Sequence, residues 1–352
     1  MFKKCLQAYY TIPYYLLGGY ALPVRSLNIT ATLRCNLNCK MCLQRQSLEK
    51  FNERGIPELS FEEIKEFILN TLPFITRVGF CGGEIFIRDD IMDILAFAAK
   101  RNPVHFATNG TLVTSDMARE FVNMKIRSIL ISIDGTKYFH DNIRGRSNAF
   151  ERTLQTIEYI EKYKNDSGRL FPRIVINSVV TENNLSSFAE LLQIISQLGI
   201  KDFGLQMVDK CHYRYSPMKS LSDAFTIPPR FDVLQSGDLE EKLLKLYETA
   251  RGKGIKIQIK PEVTISEFSD YYMNKMDLSQ FYCTHPWAQT MISPYGDVYP
   301  CYMLSMGNLR EERLSKIWND SRYQAFRRSL KKSVLFPGCS GCCFMIRRQH
   351  LQ

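Results

Sequence analysis

Short apolar runs alternate along the chain with longer stretches in which apolar residues recur at helical spacing. The runs predict strands and the longer stretches predict helices, one of which begins at Ser60 with Glu62 and Glu63 in its first turn. The predicted strands cover residues 27–31, 77–80, 104–108, 128–133, 173–180 and 203–208, and further helices are predicted at 91–100, 115–123, 150–163 and 185–197. Six strand–helix repeats with short connections predict an α/β fold, in which a parallel sheet with right-handed crossovers bends into a partial (β/α)6 TIM-like barrel. Reacting groups in such a barrel lie at the C-terminal ends of the strands.

The alternation of predicted strands and helices stops after the sixth predicted strand. Residues 209–235 carry three prolines, which predicts a loop that is either a domain boundary or a lid. A helix at 239–251 and a strand at 255–259 then precede a second cysteine-rich region. The predicted organisation is an N-terminal extension (1–26), the barrel (27–235), a connecting helix and strand (236–282) and a small α+β domain (283–352).

The N-terminal segment combines two lysines with aromatic and aliphatic residues and superficially resembles a signal peptide. Pro13 interrupts it, tyrosines replace a clean apolar core, and no small-residue cleavage site follows. We therefore expect an amphipathic segment packed on the body of the protein, with a membrane-surface anchor as the alternative. The sequence contains no run of ~18 apolar residues, the length needed to span a bilayer.

Composition changes this picture little, because 45% of the 352 residues are hydrophobic and 23% are charged, as in an ordinary folded protein. The net charge of +10 is unevenly placed, since residues 310–348 carry ten basic side chains against three acidic ones. Such a face can steer an acidic electron donor such as flavodoxin or ferredoxin, an anionic substrate, a lipid surface or RNA. A solvated helix face without a partner explains the charge equally well.

The eleven cysteines are odd in number and clustered, which indicates metal binding in a reducing compartment, and hence the cytoplasm, rather than a closed set of disulfides. Cys35, Cys39 and Cys42 lie in one loop directly after the first predicted strand. Three thiolates would leave one iron of a four-iron, four-sulfide cluster free to bind a group that is not protein. A structural zinc site takes four ligands, which this loop alone does not supply, but a zinc or structural cysteine loop is the alternative.

Glycines and small polar side chains follow the next three predicted strands. Cys81-Gly82-Gly83-Glu84 ends the second strand, where glycines allow a ligand close to the backbone and a carboxylate can bind an ammonium group. Thr108-Asn109-Gly110 follows the third strand, and Ser132-Ile133-Asp134-Gly135 follows the fourth. Next comes His140-Asp141-x-x-Arg144-Gly145, in which Arg144 can bind a carboxylate through its planar guanidinium.

In this order and spacing, the cysteine loop and the four motifs resemble the radical SAM superfamily from Leu27 to about Gly145. The resemblance implies that Cys35, Cys39 and Cys42 hold a 4Fe-4S cluster whose open iron chelates S-adenosyl-L-methionine. Reductive cleavage of that cofactor would yield a 5'-deoxyadenosyl radical, which abstracts hydrogen from an unactivated C–H bond. The implied cofactor contacts are Gly82, Gly83 and Glu84 to the methionine ammonium, Arg144 and Ser132 to the carboxylate or ribose, Asn109 and Asp134 along the site, and the Met41 backbone near adenine. Ile85 departs from the proline that the family often has there, which affects the local turn.

A second group of cysteines lies near the C-terminus. Cys283, Cys301, Cys339 and Cys342 resemble the ligands of a SPASM or twitch-type domain, which implies that they fully ligate an auxiliary 4Fe-4S cluster. Cys343 is the alternative to Cys342 as a ligand. Because a two-cluster SPASM domain uses further cysteines, we expect the shorter twitch form with one auxiliary cluster. A zinc ribbon built from the same thiols is the other interpretation.

Cys5, Cys81 and Cys211 belong to neither group. Cys81 lies beside the implied cofactor, and Cys211 follows the sixth strand at the mouth of the barrel. Either thiol is therefore a candidate catalytic hydrogen donor to a substrate radical. A buried structural thiol is the alternative role for each.

These features predict a radical SAM oxidoreductase that dehydrogenates a small polar metabolite, such as a sugar or aminocyclitol, with the auxiliary cluster accepting an electron. Only 34 residues precede Cys35, too few for the leader-binding domain that peptide-modifying relatives often carry, which favours a small substrate over a peptide. The alternatives are redox-neutral epimerisation with a cysteine hydrogen donor and modification of a ribosomally made peptide. A zinc-stabilised nucleic-acid-binding module, which would bind RNA in a salt-dependent manner, is a more remote alternative.

Overall fold

The computed structural model describes residues 2–42, 48, 55–71, 77–181, 183–208, 238–301 and 304–348, without the side chains of residues 2–7 and 10. The strands in these ranges are β1 (Ser26–Thr32), β2 (Arg77–Gly82), β3 (Val104–Thr108), β4 (Ser128–Ser132), β5 (Arg173–Val180), β6 (Asp202–Met207), β7 (Lys256–Lys260), β8 (Phe281–Tyr282), β9 (Gln289–Ile292), β10 (Asp297–Tyr299), β11 (Gly307–Asn308) and β12 (Ile346–Arg347). The α-helices are α1 (Phe2–Leu16), α2 (Phe61–Thr71), α3 (Ile91–Ala99), α4 (Ser115–Asn123), α5 (Lys137–Arg144), α6 (Ala149–Ser167), α7 (Phe188–Gln197), α8 (Leu239–Gly252), α9 (Ile265–Tyr272), α10 (His285–Ala288), α11 (Leu314–Ile317) and α12 (Ser321–Lys332).

One sheet organises the chain, with the strand order β11-β10-β9-β1-β2-β3-β4-β5-β6-β7. From β1 to β7 each strand pairs in parallel with the next. Among the described residues the two ends of this order do not pair, so the barrel is open. The predicted α/β class and partial barrel are thereby confirmed. The strand that the sequence predicts within a connecting segment joins the sheet as β7, beside β6.

The two faces of the sheet carry different side chains, because successive residues of a strand point to opposite sides. On the outer face Phe106 and Phe203 are almost fully buried. Their rings contact Phe121 of α4 at 5.1 Å and Phe188 of α7 at 5.6 Å, measured between ring centres. The alternate, inward-facing positions of β2 to β6 include Gly79, Cys81, His105, Ala107, Ser128, Leu130, Ser132, Asn177, Val179, Gly204 and Gln206. Closed barrels fill this space with bulky branched residues, whereas small and polar residues here leave a lumen.

The C-terminal part continues the same sheet. β9 pairs in parallel with β1, on the side away from β2, and β10 and β11 add antiparallel strands beyond it. β8 and β12 form a separate two-stranded ladder. The segments that carry the second group of cysteines are therefore attached directly to the strand that leads into the first.

Arg327 of α12 is fully buried, and no described carboxylate forms an ion pair with it. Its Nε donates to the Pro286 carbonyl (2.8 Å), and its Nη1 donates to the Gly19 carbonyl (3.1 Å) and to Asn319 Oδ1 (2.8 Å). The guanidinium carbon lies 4.4 and 4.2 Å from the centres of two aromatic rings. Burial lowers the pKa of Arg327 to about 10. This side chain joins the N-terminal segment, α12 and the turn that follows Cys283.

The first helix packs on the body of the protein by one face. Tyr14 is buried, with its ring 5.0 Å from that of Trp287 and 5.7 Å from that of Tyr282. Among the described residues, no helix combines the length and the apolar character that crossing a bilayer requires.

Candidate active site at the strand ends

Cys35, Cys39 and Cys42 lie in the loop that leaves the C-terminal end of β1. Two amides of this loop donate to the carbonyls of Ile143 and Arg144, at 3.0 and 3.1 Å, at the end of α5. These carbonyls have no partner within their own helix, so the loop satisfies them and is fixed by them. The three thiols are thus held on a backbone frame that α5 provides.

Without a metal, the surroundings of these thiols favour their protonated form. Burial raises the pKa of Cys35 to about 11. Burial also raises the pKa of Cys39, while the Arg144 guanidinium opposes that rise and donates through Nη1 to Cys39 Sγ at 3.7 Å. Thiols of this kind release their protons when they bind a metal. The adjacent cation would partly compensate the charge that the thiolates then carry.

Gly82 and Gly83 form a cradle against the cysteine loop. Gly82 has a φ of +152°, and a Cβ there would overlap the backbone of Thr32 at the end of β1, whereas a Cβ at Gly83 would overlap the backbone just after β1. The Gly83 amide donates to the Thr32 carbonyl (2.9 Å), and the Glu84 amide donates to the Arg34 carbonyl (2.9 Å). Only glycine lets the end of β2 approach the loop this closely.

A cavity of about 290 Å³ opens beside the three thiols and the inner wall of the barrel. Of the predicted cofactor contacts, the cavity is lined by Met41, Gly82, Gly83, Asn109, Ser132 and Arg144, and not by Glu84 or Asp134. Three thiols, a glycine cradle and an adjoining polar cavity fit a cluster with one open iron. Among the described residues no three Cys, His, Asp or Glu side chains converge on a single ion. A four-iron cluster instead presents a separate iron to each thiolate.

Glu84 is fully buried behind the glycine cradle. One oxygen accepts hydrogen bonds from the Thr108 hydroxyl (2.8 Å) and the Phe86 amide (3.3 Å), and the other accepts from the Asn109 amide (2.7 Å). Burial raises the pKa of this carboxyl to about 7 although these donors oppose the rise. In this arrangement Glu84 organises the turns after β2 and β3, and its contact with the methionine ammonium stays a prediction.

Asn109 links the end of β3 to the cysteine loop. Its Nδ2 donates to Asn36 Oδ1 at 3.0 Å and lies 4.0 Å from Cys35 Sγ. Its Oδ1 accepts from the amide and hydroxyl of Thr111, at 2.8 and 2.7 Å. Both ends of the amide are therefore fixed, and the side chain presents one orientation to the cavity.

Arg144 faces the cavity, and Asp134 lies behind it. Their side chains form a buried ion pair, with Arg144 Nη2 2.5 Å from Asp134 Oδ2. Asp134 Oδ1 also accepts from the Val179 amide at 2.9 Å. His140, which the sequence did not assign, accepts from the Asp134 amide through Nδ1 at 3.1 Å. Burial, with Arg144 nearby, lowers the pKa of His140 to about 3, so this imidazole is neutral.

Two amide side chains of the lumen wall were not singled out by the motifs. Asn177 of β5 and Gln206 of β6 line the cavity, and Asn177 Nδ2 donates to Gln206 Oε1 at 3.2 Å. Gly204 allows this pair, because a Cβ there would lie 3.0 Å from Asn177 Oδ1. The sequence does indicate these two residues, because they are polar and occupy alternate, inward-facing positions of strands that are otherwise largely apolar.

The candidate hydrogen donors have different outcomes. Cys81 is half-buried on the cavity wall, and its Sγ lies 3.8 Å from Thr30 Oγ1 in a hydrogen bond. Cys211 and the side chain of Cys5 lie outside the described residues. The structure therefore brings Cys81 to the same cavity as the three thiols of the first loop.

Five cysteines from separate segments of the C-terminal region lie close enough for their charges to interact, namely Cys283, Cys301, Cys339, Cys342 and Cys343. Burial raises the pKa of Cys283 to about 12, and Cys301 and Cys343 add to the rise. The hydrogen bond with Cys343, followed by burial, raises the pKa of Cys342. Since a fully ligated four-iron cluster takes four thiolates, the group fits such a cluster with one thiol in excess.

The basic residues near the C-terminus do not form one free face. Arg310 pairs with Glu63, Arg347 pairs with Glu267, and Arg327 is buried. Exposed cations remain instead on α12, where Arg328 lies beside the N-terminal segment and Lys332 ends the helix.

Comparison with protein-family models gives two matches. The model described as the radical SAM superfamily matches residues 29–195, and the SPASM model, described as an iron-sulfur cluster-binding domain, matches residues 283–343. The first match contains the first cysteine loop and every strand-end motif. The second contains all five C-terminal cysteines.

Curated proteins of several functions are similar to most of the chain. The tungsten-containing aldehyde ferredoxin oxidoreductase cofactor-modifying protein of Pyrococcus furiosus is 24% identical, over 91% of this chain and 87% of its own. An AdoMet-dependent heme synthase of Methanosarcina barkeri is 28% identical, over 88% and 86%. The antilisterial bacteriocin subtilosin biosynthesis protein AlbA of Bacillus subtilis is 26% identical, over 89% and 66%.

Solved structures share the fold at low sequence identity. Streptococcus suis SuiB bound to S-adenosylmethionine superposes with a TM-score of 0.63 and 16% identity, over 90% of this chain and 68% of SuiB. Native anSMEcpe with bound AdoMet and the Cp18Cys peptide gives a TM-score of 0.60 and 18% identity, over 91% and 86%. Both likenesses concern the architecture.

Proposed function

Because the chain belongs to the radical SAM superfamily and carries a SPASM iron–sulfur cluster-binding domain, we propose that it oxidises a small polar substrate held in the lumen of the partial barrel. The two domains carry a 4Fe-4S cluster that binds S-adenosylmethionine and an auxiliary cluster. When bound there, S-adenosylmethionine would supply the radical that removes one hydrogen atom from an unactivated C–H bond, and the auxiliary cluster would accept one electron as the substrate releases a proton. The chain itself binds and orients the substrate and excludes water.

In this proposal Cys35, Cys39 and Cys42 hold the first cluster, and the adjoining cavity receives the cofactor. Arg144 is buried beside Cys39 and can bind the cofactor carboxylate through its planar fork. Asp134 keeps that guanidinium in place by the ion pair behind it. The backbone of the glycine cradle supplies the close approach that the methionine end of the cofactor needs.

In the proposal, the C-terminal thiols bind the second cluster. Cys283, Cys301 and Cys339 are its ligands in our proposal, with Cys342 as the fourth and Cys343 as the spare thiol. The surplus supports a cluster whose irons are all bound by protein, which suits an electron acceptor better than a substrate-binding site.

The proposed substrate class follows from the polar side chains on the lumen wall. Asn177 and Gln206 are fixed side by side, and their amides offer donors and acceptors to hydroxyl or amino groups. Ser132 adds a hydroxyl to the same wall. A site built from such groups rejects substrates that leave them unpaired, so a polyhydroxylated metabolite such as a sugar or aminocyclitol fits it.

The test uses anaerobic enzyme with both clusters, S-adenosylmethionine, a reductant, and a panel of sugars, aminocyclitols and short peptides. We expect a product that has lost two hydrogens and an equal amount of 5'-deoxyadenosine. Asn177→Leu keeps the side-chain size but removes the hydrogen bonds, and should lower kcat/KM by about tenfold or more. Asn165→Leu, on the exposed surface of α6, is the matched control. Turnover to a product of unchanged mass, or turnover of peptides alone, would contradict the proposal.

Redox-neutral epimerisation is the second candidate, and the position of Cys81 on the cavity wall supports it. A thiol there would return a hydrogen atom to the opposite face of a substrate radical, and the resulting thiyl radical would take an electron from the added reductant and a proton from solvent to restore the thiol. The product would then take up one deuterium from D₂O at a single carbon, and Cys81→Ala would abolish this uptake. Thr30→Val removes the hydrogen bond to the thiol but keeps the thiol itself, and this variant should retain the deuterium uptake. Absence of deuterium in the product would exclude this candidate.

Three further expectations accompany the proposal. The peptide alternative draws support from AlbA, a bacteriocin biosynthesis protein by name. An acidic electron donor such as flavodoxin or ferredoxin suits the net charge of +10, and the clustered, odd-numbered set of eleven cysteines suits a reducing cytoplasm. Reduction of the clusters by flavodoxin that weakens with added salt would support the donor, and salt-independent reduction would count against it.

A further inference from the structure

Apolar side chains are exposed at the end of α1 and in the turn after it, and we call this group the α1 patch. It consists of Ile12 (51% exposed), Tyr15 (57%), Leu16 (76%), Leu17 (39%) and Tyr20 (50%). These are five of the ten large apolar side chains exposed among the described residues. Exposed apolar residues scattered singly need no explanation, but a contiguous group of this kind marks an interaction surface.

The α1 patch is fixed to the body of the protein. On the opposite side of the helix Tyr14 packs on Trp287. Lys331 Nζ donates to the Tyr15 carbonyl at 3.0 Å, and Arg328 Nη1 donates to the Gly18 carbonyl at 3.3 Å. The patch is therefore presented in a set orientation, with apolar groups on both sides of a surface helix, where a polar outer face is the rule.

Positive charge adjoins the α1 patch along α12, from which Arg328 and Lys331 reach the carbonyls of Gly18 and Tyr15. α12, which lies against the patch, carries five basic residues and no acidic one within Ser321–Lys332. Arg322, Arg328 and Lys332 of this helix are exposed. An occupant should therefore combine an apolar interior with an anionic surface.

We propose that the α1 patch docks the enzyme on the surface of an anionic phospholipid bilayer. Aliphatic side chains at the centre, tyrosines beside them and lysine or arginine at the rim are the arrangement of an interfacial helix, whose apolar face enters the boundary between headgroups and acyl chains. Each cation near an anionic leaflet adds to the attraction. A second copy of the chain fits less well, because a two-fold contact would bring two basic rims together.

The test is flotation of the cluster-loaded enzyme with phosphatidylcholine vesicles that either contain or lack phosphatidylglycerol. We expect binding to the anionic vesicles, weakened by salt, and little binding to pure phosphatidylcholine. Leu16→Glu should lower the partition coefficient by about tenfold or more, because a charge replaces the most exposed apolar group of the patch. Leu170→Glu, at a position that is 83% exposed elsewhere, is the matched control and should bind as the wild type does. Iron content and circular dichroism establish that both variants fold.

Three outcomes would overturn the proposal. The first is a wild-type enzyme that does not float with anionic vesicles. The second is equal binding by the Leu16→Glu and Leu170→Glu variants. The third is a wild-type dimer that Leu16→Glu converts to a monomer without any vesicle binding, which would make the patch a contact between copies of the chain.

Discussion

Replacement of Arg327 by methionine tests how the C-terminal region is held on the barrel. The change keeps an unbranched side chain of similar length and removes every hydrogen bond of the guanidinium. The carbonyls of Pro286 and Gly19 and the amide oxygen of Asn319 then lose a donor at 2.8 to 3.1 Å. We expect the turn after Cys283 to loosen as a result.

The magnitude follows from three contributions. The carbonyls of Pro286 and Gly19 are orphaned in a buried place at a cost of about 1–3 kcal/mol each, whereas Asn319 Oδ1 keeps the Ala21 amide as a donor. The lost cation–π contacts with Trp318 and Tyr323 cost about 2 kcal/mol. Against this, the variant no longer buries a charge. That burial lowers the pKa of Arg327 to about 10, which corresponds to roughly 3 kcal/mol. The expected net loss of unfolding free energy is about 1–5 kcal/mol.

Denaturant unfolding followed by tryptophan fluorescence is the assay, because both tryptophans of the chain, Trp287 and Trp318, lie in this region. Arg328→Met, at the exposed neighbouring position, removes two long hydrogen bonds, to the Gly18 carbonyl (3.3 Å) and to Gln324 Oε1 (3.4 Å), and should change stability little. Arg327→Met should also lower the iron content of the auxiliary site. An Arg327→Met variant as stable as Arg328→Met, with full iron content, would show that the Arg327 guanidinium does not hold the C-terminal region on the barrel.

Three further variants probe the strand ends. Gly83→Ala places a Cβ onto the cysteine loop and should reduce iron at the first site while auxiliary iron persists, as iron analysis would show. Glu84 has a raised pKa, so its contribution to stability is present below about pH 4.5 and lost as pH rises through about 7; Glu84→Gln should remove this dependence from denaturation midpoints of the apoprotein. Asp134→Asn leaves Arg144 buried without its ion pair and should cost about 3 kcal/mol of unfolding free energy, whereas Glu151→Gln breaks an exposed pair and should cost little.

The sequence predicted the barrel well because its strands are short apolar runs between helices with clear periodicity. The motifs lie at the C-terminal ends of the strands, as expected for a parallel sheet. The positions of Glu84 and Asp134 behind the cavity wall could not be predicted, since a residue past a strand end can point in any direction that its turn allows. Gly82 fixes that direction through its positive φ.

Strand and helix periodicity identifies further residues that the motifs do not include. Asn177 and Gln206 occupy inward positions of their strands, which a period of two would have identified. Arg327 follows Tyr323 and Phe326 on the buried face of α12, so helical periodicity separates it from the exposed cations beside it. The net charge of the whole C-terminal segment does not distinguish the buried Arg327 from the exposed cations.

The proposed chemistry requires two separate four-iron clusters, one held by Cys35, Cys39 and Cys42 and the other by C-terminal thiols. Iron and zinc analysis of anaerobically reconstituted enzyme tests this most directly. We predict about eight irons per chain in the wild type, about four after alanine replacement of the three loop cysteines, and about four after Cys283→Ala together with Cys301→Ala. Four irons or fewer in the wild type, with zinc in place of the second cluster, would contradict the account.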